Sequence, residues 1–532
     1  MLINAEQTNR LLVFEISRFI RRITWTIFWC VGLCACGGGG GSGGGYAGRP
    51  ALDTTYRASG HAAAGDVFVH LFEWSWNDIA NECESQLGPN GFRAVQVSPP
   101  QEDIVRSEWW TRYQPVSYSI DLSRSGTRAE FITMVSRCKA AGVDIYVDAV
   151  INHMTAGSGT GRNGTIYGKY SYPGLYSQGD FHPVCSINNY LDAANVQDCE
   201  LVGLADLNTG ISSVRQKIAD YLLALVRLGV AGFRLDAAKH IQPVELNEIL
   251  ARVNQTLTAE GRSLPYYFAE VIDNGGEAVK VRDYFGLAFN SAGAADITEF
   301  KFRGAGYKFL GTGGQKLSQL NPNGFAGSQF SESAWGLIPS DKAVVFLENH
   351  DTQRSGGISY REAASYRLAN VWMMAQPYGY PSVMSSFVFD RNSQAGRDAG
   401  PPASINGCAG SMEAATPGQW VCEQRDPVIA RMAAFRHAVA GTQQLNWWDN
   451  GSNAVAFSRG DQGFVFINNE SVAATMSGVT GLAMGIYCDV LGGGVSAGSC
   501  VGRSVEVGAG GAATITLPAN TAVVLQAGIR LP

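Results

Sequence analysis

An alternation running from about residue 61 to 440 constrains the fold most. Short apolar, branched runs read as buried strands: Val67–Phe72, Ala94–Ser98, Asp144–Val150, Gly232–Asp236, Tyr266–Glu270, Ala343–Glu348 and Ser382–Ser385. Helical periodicity fills the gaps, as in Arg128–Ala141, Ser212–Leu228, Val244–Leu257 and Arg361–Met374. Strands that alternate with helices pair in parallel through right-handed crossovers. For this length the α/β fold that fits best is a closed (β/α)8 TIM barrel; an open doubly wound sheet shares the local pattern. No glycine-rich phosphate fingerprint follows the first strand, which disfavours a dinucleotide-binding oxidoreductase.

One connection is too long for a βα loop. After Val150 the chain runs through Gly157–Gly161 to about Asp206 before the next long helix, rich in Gly, Tyr and Asn. This stretch, 152–206, is expected to be an excursion domain on the carboxyl face of the sheet, where barrel active sites lie. The barrel itself is assigned to 61–151 and 207–440. From 441 to 532, runs such as Ala454–Phe457, Gly463–Ile467, Ala512–Leu517 and Ala522–Leu525 are separated by turn residues, the pattern of an antiparallel β-sandwich.

The amino terminus reads as a targeting segment. Arg18, Arg21 and Arg22 precede the apolar run Ile23–Ala35, the length of a signal h-region and short for a membrane span. Leu33–Cys36 resembles a bacterial lipoprotein cleavage box, with Cys36 as the lipidated residue; an ordinary signal peptide cut nearby is the alternative. Residues 1–36 are thus assigned to the leader and 37–60 to a Gly-rich tether. The expected location is extracytoplasmic, either secreted or lipid-anchored at a bacterial cell envelope.

Of eleven cysteines, three fall in the leader, and the remaining eight are spread without metal-finger spacing. An even number outside the cytoplasm points to disulfides. Cys185 with Cys199, Cys408 with Cys422 and Cys488 with Cys500 would close short loops, and Cys83 with Cys138 a longer one; the sequence alone fixes none of these pairings. A formal charge of -6 argues against a nucleic-acid partner, which needs a clustered positive footprint, and leaves a neutral polymer open.

Three acids end or closely follow apolar strands: Asp236, Glu270 and Asp351. Each could simply cap the following helix. At the mouth of a barrel, however, two carboxylates can act as nucleophile and general acid on a glycosidic bond, and a third can stabilise the cationic transition state.

The segments around these acids resemble the α-amylases of the barrel glycoside hydrolases, in the branch shared by animal and some bacterial enzymes. The resemblance is carried by Gly65–Trp74, Val95–Pro100, Trp109–Tyr118, Asp148–Met154, Gly229–His240, Phe268–Asp273, Phe346–Arg354 and Pro377–Ser386, in the family's order over about residues 65–440. The cysteines also sit where this branch has disulfides, which supports the pairings above.

The resemblance implies endo-hydrolysis of α-1,4 bonds in starch, glycogen and maltooligosaccharides with retention of configuration, by a monomer. Asp236 would be the nucleophile, Glu270 the acid and base, and Asp351 the transition-state stabiliser. Glu270 must then start protonated. Arg234 would keep the nucleophile anionic, and His153 and His350 would contact sugar hydroxyls. Trp109, Trp110, Tyr113 and Gln114 resemble the platform on the non-reducing side, with Thr111 and Arg112 reading as its polar loop, and Lys239 and His240 resemble the other side.

A structural calcium ion is implied at Asn152, Asp206 and the carbonyls of Gln197 and His240, hard oxygen donors of the kind calcium requires. Arg234 and Asn349 match two chloride ligands of the branch, but the third falls on Ser382. Losing that cation weakens an anion site, so chloride independence is expected. The loop after Arg354 is also compressed. Alternatives are a transglycosylating or branching enzyme of the same family, which uses the same carboxylates, and a non-catalytic starch-binding surface protein.

Overall fold

The computed structural model describes residues 49–324, 329–403 and 407–532. The leader, most of the tether and the Cys36 site lie outside the described residues. Among the described residues no helix is long and apolar enough to cross a membrane.

Numbering only strands of three or more residues, β1 (Phe68–Leu71), β2 (Ala94–Val97), β3 (Asp144–Ala149), β4 (Gly232–Leu235), β5 (Tyr266–Ala269), β6 (Ala295–Thr298), β7 (Ala343–Val345) and β8 (Tyr380–Ser385) form a closed barrel. Every pair is parallel and sequential, and β8 closes on β1 with Phe68 opposite Ser382. Seven of these strands match the apolar runs. The sixth does not: β6 is four residues long and carries Asp296, so it lacks the uninterrupted apolar signal of its neighbours.

The helices follow the expected apolar stripes. Arg128–Ala140 begins with a capping box, in which Thr127 Oγ1 accepts from Glu130 N and Glu130 Oε2 accepts from Thr127 N at 2.8 Å. Such a cap contributes about 1 kcal/mol. The helix buries Phe131, Met134, Val135 and Cys138 at one-turn spacing, and Gly142 ends it with a positive φ of 78°. Cys138 bonds Cys83, and the pairs 185 with 199, 408 with 422 and 488 with 500 are also disulfides.

Between β3 and β4 the chain leaves the barrel through a narrow neck. Met154 N donates to Ala205 O at 2.9 Å, Ala205 N to Thr155 O at 3.1 Å, and Leu207 N to Asn152 O at 3.0 Å, so the outgoing and returning strands satisfy each other. The carboxyl-terminal part is antiparallel: Gln444–Asp449, Ala454–Arg459, Gly463–Asn468 and Thr521–Gln526 form one sheet, and Ala474–Val479 with Ala512–Leu517 a second ribbon. Phe464, Phe466, Met476, Ile515 and Val523 share the core between them.

The barrel interior changes chemistry along its axis. At the amino end Phe68, Ala94, Tyr146, Phe268, Val344 and Tyr380 form a dry layer. His61, on the segment leading into β1, stacks on Tyr380 with ring centroids 4.4 Å apart and closes this end. Toward the carboxyl ends the buried residues become His70, Gln96, Asp148 and Arg234. The fold thus presents its polar layer upward, next to the mouth.

Candidate active site

Arg234 organises that layer. It is 3% exposed and sits on β4 two residues before Asp236, hence on the same face. Its Nη1 lies 2.7 Å from Asp148 Oδ1 and 2.8 Å from Asp236 Oδ1, and its Nη2 lies 2.6 Å from Glu270 Oε1. Asp236 and Glu270 therefore both lie within the span of one guanidinium. The second Glu270 oxygen accepts from Ala237 N at 2.9 Å, and Ala237 adopts a left-handed φ of 50° that turns this amide toward it. Asp351 stands apart from the guanidinium, with its Oδ2 3.1 Å from His350 Nε2.

One cation serves too many anions here. Burial pushes Asp236 well above the usual carboxylate range, with Arg234 opposing and Glu270 and Asp148 adding repulsion. Asp148 is also raised, by burial first. Asp351 lies on a cleft floor that water reaches, its side chain 48% exposed, yet enclosure by protein and then the Glu270 charge push it up to about 7. Burial thus moves Asp236, Asp148 and Asp351 in the same direction, against the pull of the guanidinium.

Three residues of this layer were not singled out in the sequence. Asp148 takes hydrogen bonds from Arg234 and from the Tyr113 hydroxyl at 2.8 Å, and Gln96 Nε2 bridges toward it and toward His70 Nε2 at 3.5 and 3.3 Å. Their signal is a polar residue at alternate positions of otherwise apolar strands, meaning a polar group that faces into the barrel.

The aromatic wall forms around His350. Its ring stacks between Tyr113, at 5.1 Å, and Phe72, at 5.0 Å, and Trp109 meets it edge-on at 5.7 Å. Burial lowers the His350 pKa well below its usual value, so the ring is neutral. Trp109 and Trp110 remain half-buried. Arg112 departs from the polar-loop expectation: it is fully buried, donates from Nε to Pro99 O at 2.9 Å and lies 3.7 Å from the buried Glu73 carboxylate, so it holds the turn from beneath. Gln114 is also engaged, accepting from Ala156 N at 3.1 Å.

A profile described as the alpha amylase catalytic domain matches residues 97–383, and one described as the alpha amylase C-terminal all-beta domain matches 445–528. An alpha-amylase of Tenebrio molitor is 44% identical over 477 residues, covering 86% of this chain and 95% of its own. Pancreatic alpha-amylase 2a5 of Mus musculus is 44% identical, covering 85% and 92%. The chain belongs to the α-amylase family. In three dimensions it is similar to an alpha-amylase I variant from Eisenia fetida in complex with maltohexaose, with a TM-score of 0.76, 37% identity and coverage of 89% of this chain and 98% of that one.

Lys239, His153 and His240 are each held by a partner nearby. Lys239 reaches the cleft wall paired with Glu277, and its ammonium lies 4.9 Å from the Tyr190 ring centre. His153 is buried, donates from Nε2 to Tyr113 O at 2.9 Å and is held near pKa 4 by burial. That nitrogen is already committed, so the geometry gives His153 the task of supporting Tyr113. His240 donates from Nδ1 to Val196 O at 2.9 Å, tying its turn to the excursion.

Of the residues expected to hold calcium, Asn152 and Asp206 lie at the neck, Gln197 on the excursion and His240 on the turn after β4. Asn152 Nδ2 is 3.4 Å from Asp206 Oδ1, and His182 Nδ1 is 2.7 Å from Asp206 Oδ2. The Gln197 side-chain oxygen is buried without a hydrogen-bond partner among the described residues. Its amide donates to Tyr284, whose hydroxyl binds the carbonyls of Lys239 and Ile241 on either side of His240. No cluster of three or more His, Cys, Asp or Glu suited to a metal occurs among the described residues. A site built from one carboxylate, one amide and carbonyls is of a different kind, and this oxygen-rich set fits a hard cation.

Of the chloride positions, Arg234 is committed to three carboxylates. Asn349 Oδ1 accepts from Thr352 N at 2.8 Å and Asp351 N at 3.1 Å, and Ser382 lies opposite Phe68 in the barrel.

Proposed function

We propose that the chain is an endo-acting, retaining α-amylase that cuts internal α-1,4 bonds of starch, glycogen and maltooligosaccharides. The arrangement of Asp236 and Glu270 around Arg234 carries this reading, within a family whose named relatives are alpha-amylases. Asp236, in its carboxylate form and paired with Arg234 Nη1, attacks the anomeric carbon while Glu270 protonates the departing oxygen. The resulting glycosyl-enzyme is hydrolysed by a water that Glu270 deprotonates. Asp351 offsets the positive charge of both transition states from the cleft floor. His350, stacked and neutral, can offer a hydrogen bond to a sugar hydroxyl without adding charge. Trp109, Trp110 and Tyr113 supply flat apolar faces for the glucan, with Lys239 and His240 on the far side of the cut.

Calcium would be held by Asn152, Asp206 and the carbonyls of Gln197 and His240, supplying a structural tie between excursion and barrel. Chloride is not required in this reading, because the position of the third ligand is the neutral Ser382. The enzyme works outside the cytoplasm as a monomer, either released or held by a lipid on Cys36; four disulfides support the extracellular setting.

A time course on soluble starch for the parent and Glu270→Gln tests the assignment. The parent loses viscosity quickly and releases mixed short maltooligosaccharides, and the variant does neither. A parent that transfers glucan onto sugar in place of water would instead be a branching or transglycosylating enzyme. One that binds starch without releasing reducing ends would be a capture protein.

A further inference from the structure

Arg354 lies three residues beyond Asp351, is 7% exposed and is surrounded by aromatic rings. Its guanidinium carbon is 4.2 Å from the Trp109 ring centre and 4.6 Å from that of Phe389, with Phe72 and Phe387 at 5.5 and 5.7 Å. A cation over indole and benzene faces, shielded from water, is held more strongly than at an exposed site. Its hydrogen bonds reach two carbonyls, and Trp109 shares one of them. Nη1 donates to the carbonyl of His350, immediately before Asp351. Nε donates to Arg397 O at 3.0 Å, and the Trp109 indole N–H donates to that same oxygen, also at 3.0 Å. Burial lowers Arg354 to about 10, which leaves it cationic at neutral pH.

We infer that Arg354 is a positioning residue that joins the Trp109 ring and the His350–Asp351 peptide into one rigid unit. The inference rests on the reading of this cleft as an α-glucan site. A sugar stacked on Trp109 and the carboxylate of Asp351 then keep a fixed separation while the chain is cut. Lysine cannot replace it, because an ammonium lacks the planar fork that stacks on indole while donating to two carbonyls.

The test compares the parent with Arg354→Lys, Arg354→Met, Trp109→Ala and the double variant Arg354→Lys/Trp109→Ala. For each, kcat and KM are measured on maltoheptaose. Arg354→Lys is expected to raise KM about tenfold and to lower kcat about tenfold. The double variant should show a KM no higher than Trp109→Ala alone, because Arg354 acts on binding through that ring. An unchanged KM in a folded Arg354→Lys, or a double-variant KM equal to the product of the single effects, would overturn the inference. So would failure of both Arg354 variants to fold, which would make the residue a general support. A parent that does not cleave maltoheptaose sinks the functional reading instead; the coupling is then read from maltoheptaose binding to the same variants by calorimetry.

Discussion

The Arg234 guanidinium lies 2.7 Å from the Asp148 carboxylate, a residue 86 positions earlier on the neighbouring strand β3. This pair sits beneath Asp236 and Glu270 and places one buried cation in contact with all three carboxylates.

Replacing Arg234 by methionine leaves these carboxylates facing one another without a counter-charge. Breaking a buried pair in this way costs about 3–5 kcal/mol, to be measured by urea unfolding. The repulsion also raises the carboxyl pKa values further, so both limbs of the pH–rate profile move to higher pH. A variant with parental stability and an unmoved profile would contradict the role given to this arginine.

Asp351 makes the site sensitive to pH in a definite direction. Its folded pKa of about 7 exceeds the ordinary 3.8, so the native protein binds this proton more tightly than the unfolded chain does. The associated stabilisation is fully present below 3.8 and is lost as pH rises through about 7. Asp351→Asn removes the charge that becomes costly. Its thermal midpoint is expected to exceed the parent's at pH 8 and to approach it as pH falls toward 4; the reverse order in calorimetric scans would refute the assignment.

Removing calcium should loosen the neck. Chelation of the parent is expected to lower its thermal midpoint and to speed proteolysis between residues 152 and 206. Asp206→Asn, with one anionic donor fewer, should show the lowered midpoint already and respond little to chelator. A parent indifferent to exhaustive chelation argues against the ion.

Chloride provides a contrasting case. Activity of a chloride-free preparation is expected to stay unchanged on adding chloride. Ser382→Arg, which puts back the missing positive group, should create an anion response; a large response in the parent would contradict the reading of Ser382.

The sequence revealed the outline of this molecule through local signals. Apolar runs ending in Asp or Glu marked β4 and β5 with their acids, because a barrel strand must be apolar where it is packed and polar where it meets the cleft. β6 escaped because Asp296 interrupts it; one oxygen of that side chain accepts from Ser59 and Tyr266, partners remote in sequence. Arg112 looked like a surface residue because its cost of burial is offset by Glu73 and the Pro99 carbonyl, which no local pattern links to it. The same holds for Asp148, whose meaning depends on Arg234 and Tyr113.

The aromatic layer under the polar one gives the barrel a packed apolar floor. With Tyr146, Phe268 and Tyr380 packed across its base and His61 stacked on Tyr380, the buried Asp148 and Arg234 rest on apolar rings on the side away from the mouth. Charged groups seated on a close-packed apolar floor have little freedom to reorient, so their balance is set by the fold and not by solvent.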